Sequence, residues 1–284
     1  MNDSNQETED DDDLLNREEI SQSLAELGFE EAEQLAHLAD CCHRVIPVED
    51  VEDAKEGELT RLGGAPDVSS DFQWPTFQGR HLSFLGQFDF YEDGILLSFF
   101  YDTTECPWGF SPEHIGSCKV FAFDRASVVP AKVPSKLAAE NQFPTQELRL
   151  AMDINLPNSK SDILNYLEIP KSDIELLNKL ENDGENDSVC HHLLGFPILV
   201  QGDMELMCEK VSNGIDCGSP SAFEDDTLES LIEQAERWRL LFQCDSDPKA
   251  GWNWGDEGCL FFWIKREELE AGNFDNVLAI LQTT

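Results

Sequence analysis

The sequence predicts an α+β fold of two similar sheet-containing halves, arising from an internal duplication, related by a pseudo-twofold axis and preceded by an N-terminal helical segment. Three observations lead there. Helix-spaced stretches and short aromatic strands follow one another without the strict alternation of a doubly wound fold. An ordered set of short features occurs twice. The chain is 284 residues long and 40% hydrophobic, enough for a sizeable core.

The first element is a tail. Residues 1–16 are almost wholly polar and culminate in the run Asp10 to Asp13, too little apolar surface to offset the entropy of ordering. From Arg17 to Val45 the apolar residues Ile20, Leu24, Leu27, Ala32, Leu35 and Leu38 recur at steps of three to five, so residues 17–46 read as helical. Gly28 divides this stretch into two helices, with Phe29 packing beside the joint.

Residues 47–156 form the first half. Phe72 to Pro75, Leu82 to Leu85, Phe88 to Phe90 and Ile95 to Tyr101 are short, aromatic-rich runs punctuated by Gly, Asp or Pro, the texture of strands and tight turns. Lys119 to Phe123 and Leu148 to Ile154 add two more strands. Residues 157–187 return to helical spacing, with Ser161 and Ser172 as N-caps and a polar loop at Asn182 to Asp187. The second half, 188–284, holds a buried run at Leu193 to Gln201, a helix at Thr227 to Arg237, and strands at Trp238 to Cys244 and Cys259 to Ile264. Residues 17–284 thus read as one domain.

The duplication is read from matched order. Gly64-Ala-Pro66, Leu85-Gly-Gln-Phe-Asp89 and Asp93-Gly-Ile-Leu-Leu-Ser-Phe-Phe100 are answered by Gly195-Phe-Pro197, Leu241-Phe-Gln-Cys-Asp245 and Glu257-Gly-Cys-Leu-Phe-Phe262. Together with Trp74-Pro75, His191-His192 and Trp254-Gly-Asp256, these motifs resemble the YwqG family, mostly bacterial cytosolic proteins with one domain of unknown function. The resemblance covers Leu24 to Leu281. It implies a duplicated α+β fold and carries no established activity, cofactor or catalytic residue. The helical insert and the cysteine-rich composition depart from it.

Charge limits the partners. Nineteen Lys and Arg against 58 Asp and Glu leave −39, a polyanion that repels nucleic acid and anionic membrane. No apolar run approaches a membrane span, and the acidic N-terminus is no secretory leader, so the expected location is cytoplasmic. The nine cysteines then read as reduced thiols.

Motifs for chemistry are few. Cys41-Cys42-His43 and Cys190-His191-His192 are adjacent clusters rather than chelating frames, so no metal or other cofactor is expected. Asp245-Ser-Asp247 with Asp256 reads either as oxygen ligands or as an Asx-turn. Cys190 beside two histidines raises a Cys–His pair against an inert thiol. No phosphate loop, dinucleotide fingerprint or serine elbow is present, and no catalytic residue is assigned.

Binding residues are better candidates. Gln87 and Gln243 each share a strand face with an Asp, and serve either a ligand or the backbone of the Gly-x-Pro turn in their own half. Trp254 and Asp256, with Trp74 and Trp108 expected in corresponding loops of the first half, are either a stacking surface or core plugs. His192 supplies a titratable donor near neutral pH. Two functions follow. One is a non-catalytic protein covering a basic partner, of the immunity or inhibitor type. The other is a small-molecule or glycan binder, with hydrolysis as its extension, using a cleft between the halves formed by Trp254, Asp256, His192, Gln87, Gln243 and Trp74.

Overall fold

In a computed structural model, residues 16–47, 58–90, 92–183, 189–218 and 228–284 are described. The expected acidic tail, all but its last residue, lies outside them, as do the end of the Asn182–Asp187 loop and Thr227.

Helices α1 (Arg17–Leu27) and α2 (Ala32–Leu38) meet at Gly28, whose φ of 102° ends α1 in the left-handed conformation that glycine tolerates. The helical reading stops there. Asp40–Pro47 is strand β1, because both its edges are claimed by other strands. The strands of the first half are β2 (Arg61–Leu62), β3 (Asp67–Val68), β4 (Thr76–Phe77), β5 (Arg80–His81), β6 (Ser83–Phe90), β7 (Ile95–Tyr101), β8 (Cys118–Asp124), β9 (Val129–Pro130) and β10 (Gln146–Asn155). Phe72–Pro75 is not a strand but a covering loop.

Helices α3 (Asp162–Tyr166) and α4 (Lys171–Asp183) form the insert. Ser161 sits at the N-cap of α3, but its hydroxyl donates to Asp203 at 3.2 Å; Ser172 lies inside α4 and caps nothing. The insert packs on the N-terminal helices through Leu24, Leu35, Leu164 and Leu177. Buried Asp173 accepts from the Glu30 and Glu31 N–H groups at 2.9 and 2.8 Å, satisfying donors at the start of α2.

The second half comprises β11 (His192–Leu193), α5 (Glu205–Ser212), α6 (Leu228–Ala235), β12 (Trp238–Asp245), β13 (Cys259–Lys265), α7 (Arg266–Glu270) and β14 (Leu278–Gln282). Only the first residue of the expected Leu193–Gln201 run is strand; the rest turns away.

Ten strands form one antiparallel sheet in the order β14-β13-β12-β11-β1-β10-β2-β6-β7-β8. The halves therefore share a sheet, joined at its centre by β1 and β10. The sheet curls until its ends approach: Cys118 Sγ, at the start of β8, donates to the Val277 carbonyl before β14 at 3.3 Å. Phe88 and Phe99 meet Phe242 and Phe262 inside the curl, with Phe88 and Phe242 centroids 4.7 Å apart. β7 and β13 are apolar on both faces because both are covered. Leu97, Phe99 and Tyr101 of β7 face the interior, while Leu96 and Phe100 lie under the Phe72–Trp74 loop and its neighbours. Leu260, Phe262 and Ile264 of β13 likewise face inward, and Phe261 and Trp263 lie with Cys208 and Val211 of α5.

Candidate functional site

The recurrent polar residues occupy equivalent places in the two flanks of the sheet. In the first, Gly63 and Gly64 have φ of 61° and 73°; in the second, Leu194 and Gly195 have 61° and 67°. These turns aim the residue after each proline at a strand glutamine. The Asp67 N–H donates to Gln87 Oε1 at 2.8 Å, and the Ile198 N–H donates to Gln243 Oε1 at 2.8 Å. Each aspartate then holds the chain two residues before the short strand. Leu59 N–H donates to Asp89 Oδ2 at 2.9 Å, and Cys190 N–H to Asp245 Oδ2 at 3.1 Å. In return the Asp89 N–H donates to Thr60 Oγ1 and the Asp245 N–H to His191 Nδ1, at 3.0 and 3.1 Å. The strand register slips at the same point in both flanks, beside Leu85 and beside Leu241.

These bonds account for the glutamines. Gln87, with no exposed surface, also donates to the Leu59 carbonyl at 2.8 Å and Asp67 Oδ2 at 3.1 Å. Gln243 is equally enclosed and lies opposite His192 in the β11–β12 ladder. His192 bonds the Phe196 carbonyl through Nε2 at 3.0 Å. Burial, opposed by that bond, lowers its pKa to about 4, so at neutral pH the ring is uncharged and Nε2–H is a fixed donor. The expected titration near neutral pH is thus displaced into the acid range.

Trp252 and Trp254 sit in the long β12–β13 connection and turn inward to join the central core. Trp254 is 3% exposed; its Nε1 donates to the Asp245 carbonyl at 3.1 Å and its ring lies edge-on to Tyr101 at 5.9 Å. Asp256, two residues on, is exposed, and its carbonyl accepts from the Thr284 N–H at 3.1 Å. Trp74 is in a different cluster on the outer face of the first flank, donating Nε1 to the Leu82 carbonyl at 2.8 Å and packing on Phe100. The connection matching the Trp254 loop is the short β6–β7 turn, whereas Trp74 precedes β6 and Trp108 follows β7. Gln243, His192, Trp254 and Asp256 thus gather around one end of β12, with Gln87 at the equivalent place in the other flank and Trp74 apart.

The acidic motif of this loop turns on itself. Asp245 Oδ1 accepts from the Ser246 N–H at 2.8 Å, and Asp247 Oδ1 from the Lys249 N–H at 2.7 Å, an Asx-turn. Burial works against the Asp247 carboxylate, but His191 at 3.6 Å and the Lys249 and Ala250 N–H groups outweigh it, and its pKa is lowered. The described residues contain no group of three or more His, Cys, Asp or Glu side chains placed to hold a metal. Cys190 is no activated thiol: burial raises its pKa, Asp245 and Asp153 add to the rise, and Arg44 only partly opposes it.

One surface depression was not legible in the sequence. It has a volume of about 230 Å³ and is lined by Trp108, Phe110, Gln201, Met207, Ile280 and Gln282. Trp108 is 42% exposed there. Its carbonyl accepts the Leu281 N–H at 3.1 Å, and Gly109, at φ 89°, lets the loop lie against β14.

Among the described residues no helix is long and apolar enough to cross a membrane. No curated protein matches the chain. A family match spans residues 60–283, from the residue before β2 to the residue after β14, and so takes in both flanks of the sheet and the bonded Gln–turn pairs. The chain belongs to the DUF1963 family, a domain of unknown function.

Proposed function

We propose that this chain is a non-catalytic, cytoplasmic binding protein of the YwqG-like kind, built by duplication, that covers a basic protein partner in the manner of an immunity protein or inhibitor. The observation that carries the reading is the charge of −39. Such a field accelerates encounter with a basic surface and opposes encounter with phosphate. Two structural features support it. The polar residues common to both flanks are spent on the fold, in the Gln87 and Gln243 bonds to the two turns. The seam between the flanks, where a ligand cleft was the alternative, is filled by Phe88, Phe99, Phe242 and Phe262. The three matched hydrogen bonds around Gln87/Asp89 and Gln243/Asp245, with the register slip shared by both flanks, support the duplication.

The test is capture on the immobilised protein at about 50 mM and about 500 mM salt, since added salt shortens the Debye length and weakens exposed charge pairing. The expected result is a basic protein retained at low salt and released at high salt. Retention of only neutral or acidic proteins, or capture indifferent to salt, refutes the reading.

A further inference from the structure

The two flanks differ in their ion pairs: the Arg61–Asp67 pair of the first, at 2.7 Å, is replaced in the second by His192 and Ile198, and the aspartate of the long strand differs as well. In the first, Asp89 is paired: Arg125 Nε lies 2.8 and 2.9 Å from its two carboxylate oxygens, and the Asp89 side chain is wholly buried. In the second, Asp245 makes the same backbone bonds but has no arginine or lysine partner among the described residues. Strand register shows why. Asp89 stands opposite Leu96, and Leu96 opposite Phe123; Asp245 stands opposite Cys259, and Cys259 opposite Gln282. Two residues beyond Phe123 is Arg125. Two residues beyond Gln282 is Thr284, whose side chain bonds the Asp256 carbonyl and carries no charge. Arg44, whose charge is felt at the Cys190 thiol, pairs instead with Asp153 at 3.5 Å.

We propose that the Asp245 carboxylate is the docking point for an arginine of a basic protein partner, which takes the place that Arg125 takes in the first flank. The carboxylate is ready for it. The Cys190 and Ser246 N–H groups fix one oxygen each, and the Trp254 indole anchors the Asp245 carbonyl, so little ordering remains to be done on binding. Asp245 is half-buried where its counterpart is enclosed beneath its arginine, and the exposed Asp256 and Glu257 follow in the same loop. A planar guanidinium meets a carboxylate through two parallel bonds, a geometry that an ammonium group does not reproduce. This rests on the basic-partner reading and adds where the contact is made and by which side chain.

The probe is the peptide acetyl-Gly-Arg-Gly-amide, with its citrulline analogue as an uncharged isostere, titrated against the full chain while the Cys190 and Ser246 amide resonances are followed. The arginine peptide is expected to shift both resonances saturably, and citrulline to bind about tenfold more weakly, the ratio for loss of one charge-assisted bond. Asp245→Asn is expected to lose about the same factor. Because Asn removes an acceptor from a folded loop, Thr284→Arg provides a second route: it supplies a guanidinium from Arg125's equivalent position, deletes no bond to Asp245, and should block the peptide. Equal binding of the two peptides, or shifts confined to other amides, overturns the proposal. So does unchanged affinity in both variants. The outcomes separate from those of the charge reading: a captured basic partner held equally by wild type and folded Asp245→Asn retires Asp245 and leaves the acidic surface standing.

Discussion

Buried His192 and half-buried Glu205 pull the pH dependence of stability in opposite directions, and removing one of them should expose the other. His192 is 2% exposed and its folded pKa is about 4 against an ordinary 6.5. A lowered folded pKa means that the native state resists protonation, so the contribution is complete above about 6.5 and is lost as pH falls through about 4. At 1.36 kcal/mol per unit, the gap corresponds to about 3 kcal/mol. Glu205, the first residue of α5, is displaced the other way. Burial, aided by Asp203, raises it from 4.5 to about 7 against the opposing bond from the Met204 N–H. Its contribution is complete below about 4.5 and is lost as pH rises through about 7, again up to about 3 kcal/mol before allowance for its partial exposure. Between about 4.5 and 6.5 the slopes oppose, and the wild type reports little of either. Glu205→Gln keeps a carbonyl for the Met204 N–H and cannot ionise. Relative to wild type it should be near neutral at about pH 4.5 and more stable by about 2–3 kcal/mol at about pH 8. Urea unfolding of both proteins at the two pH values measures the difference, and the shared response of the other carboxylates cancels. A wild-type–variant difference that is the same at both pH values, within about 0.5 kcal/mol, refutes the assignment.

Other substitutions test the fold around β12. Trp254→Ala should cost about 3–5 kcal/mol in urea unfolding, because a 3% exposed indole leaves a void in the central core; a variant as stable as wild type would return Trp254 to the list of binding residues. Gln87→Leu and Gln243→Leu should each cost about 1–3 kcal/mol by stranding the Asp67 or Ile198 N–H, with Gln87 the dearer because it makes two further bonds. Gly109→Ala would put a Cβ 1.9 Å from the Ala279 carbonyl oxygen, so the Trp108 loop should lift from β14 and hydrogen exchange at the Leu281 amide should rise. Deleting residues 1–13 should move the thermal midpoint by no more than about 2 °C, since after Met1 that stretch is wholly polar.

What could be read beforehand depended on how locally each feature is specified. Ile95–Tyr101 is visible as a strand because four of its seven residues are β-branched or aromatic and a Gly turn precedes it, and Trp238–Asp245 because it is a short apolar run carrying the same Gln-x-Asp order as Leu85–Asp89. β1 is not. Asp40-Cys-Cys-His-Arg-Val-Ile-Pro47 lacks clean alternation, and its extended state comes from β10 and β11 on its two sides. β14, Leu-Ala-Ile-Leu-Gln, is a short apolar run that periodicity cannot assign to either state. The Gln–turn bonds were legible because the same residues recur in the same order. Asp89–Arg125 was not: the partners are 36 residues apart, and only the ladder through β7 and β8 brings Arg125 to the carboxylate.

That contrast bears on where function should be sought in a fold with two matching flanks. A polar residue present in both flanks, with the same partner in each, is explained by what each flank needs to close its turn. Gln87 and Gln243 are such a pair, and Asp89 and Asp245 share their backbone bonds in the same way. The flanks part company elsewhere. Thr60 is answered by His191, the turn before Ile95 by the long loop carrying Trp252, Trp254 and Asp256, and Arg125 by Thr284. These three differences fall around Asp245, where the second flank keeps the carboxylate, enlarges the loop beside it and omits the cation. An aspartate that the first flank encloses and neutralises with Arg125 is, in the second, half-buried and open to an outside cation at the end of β12 where the two flanks differ.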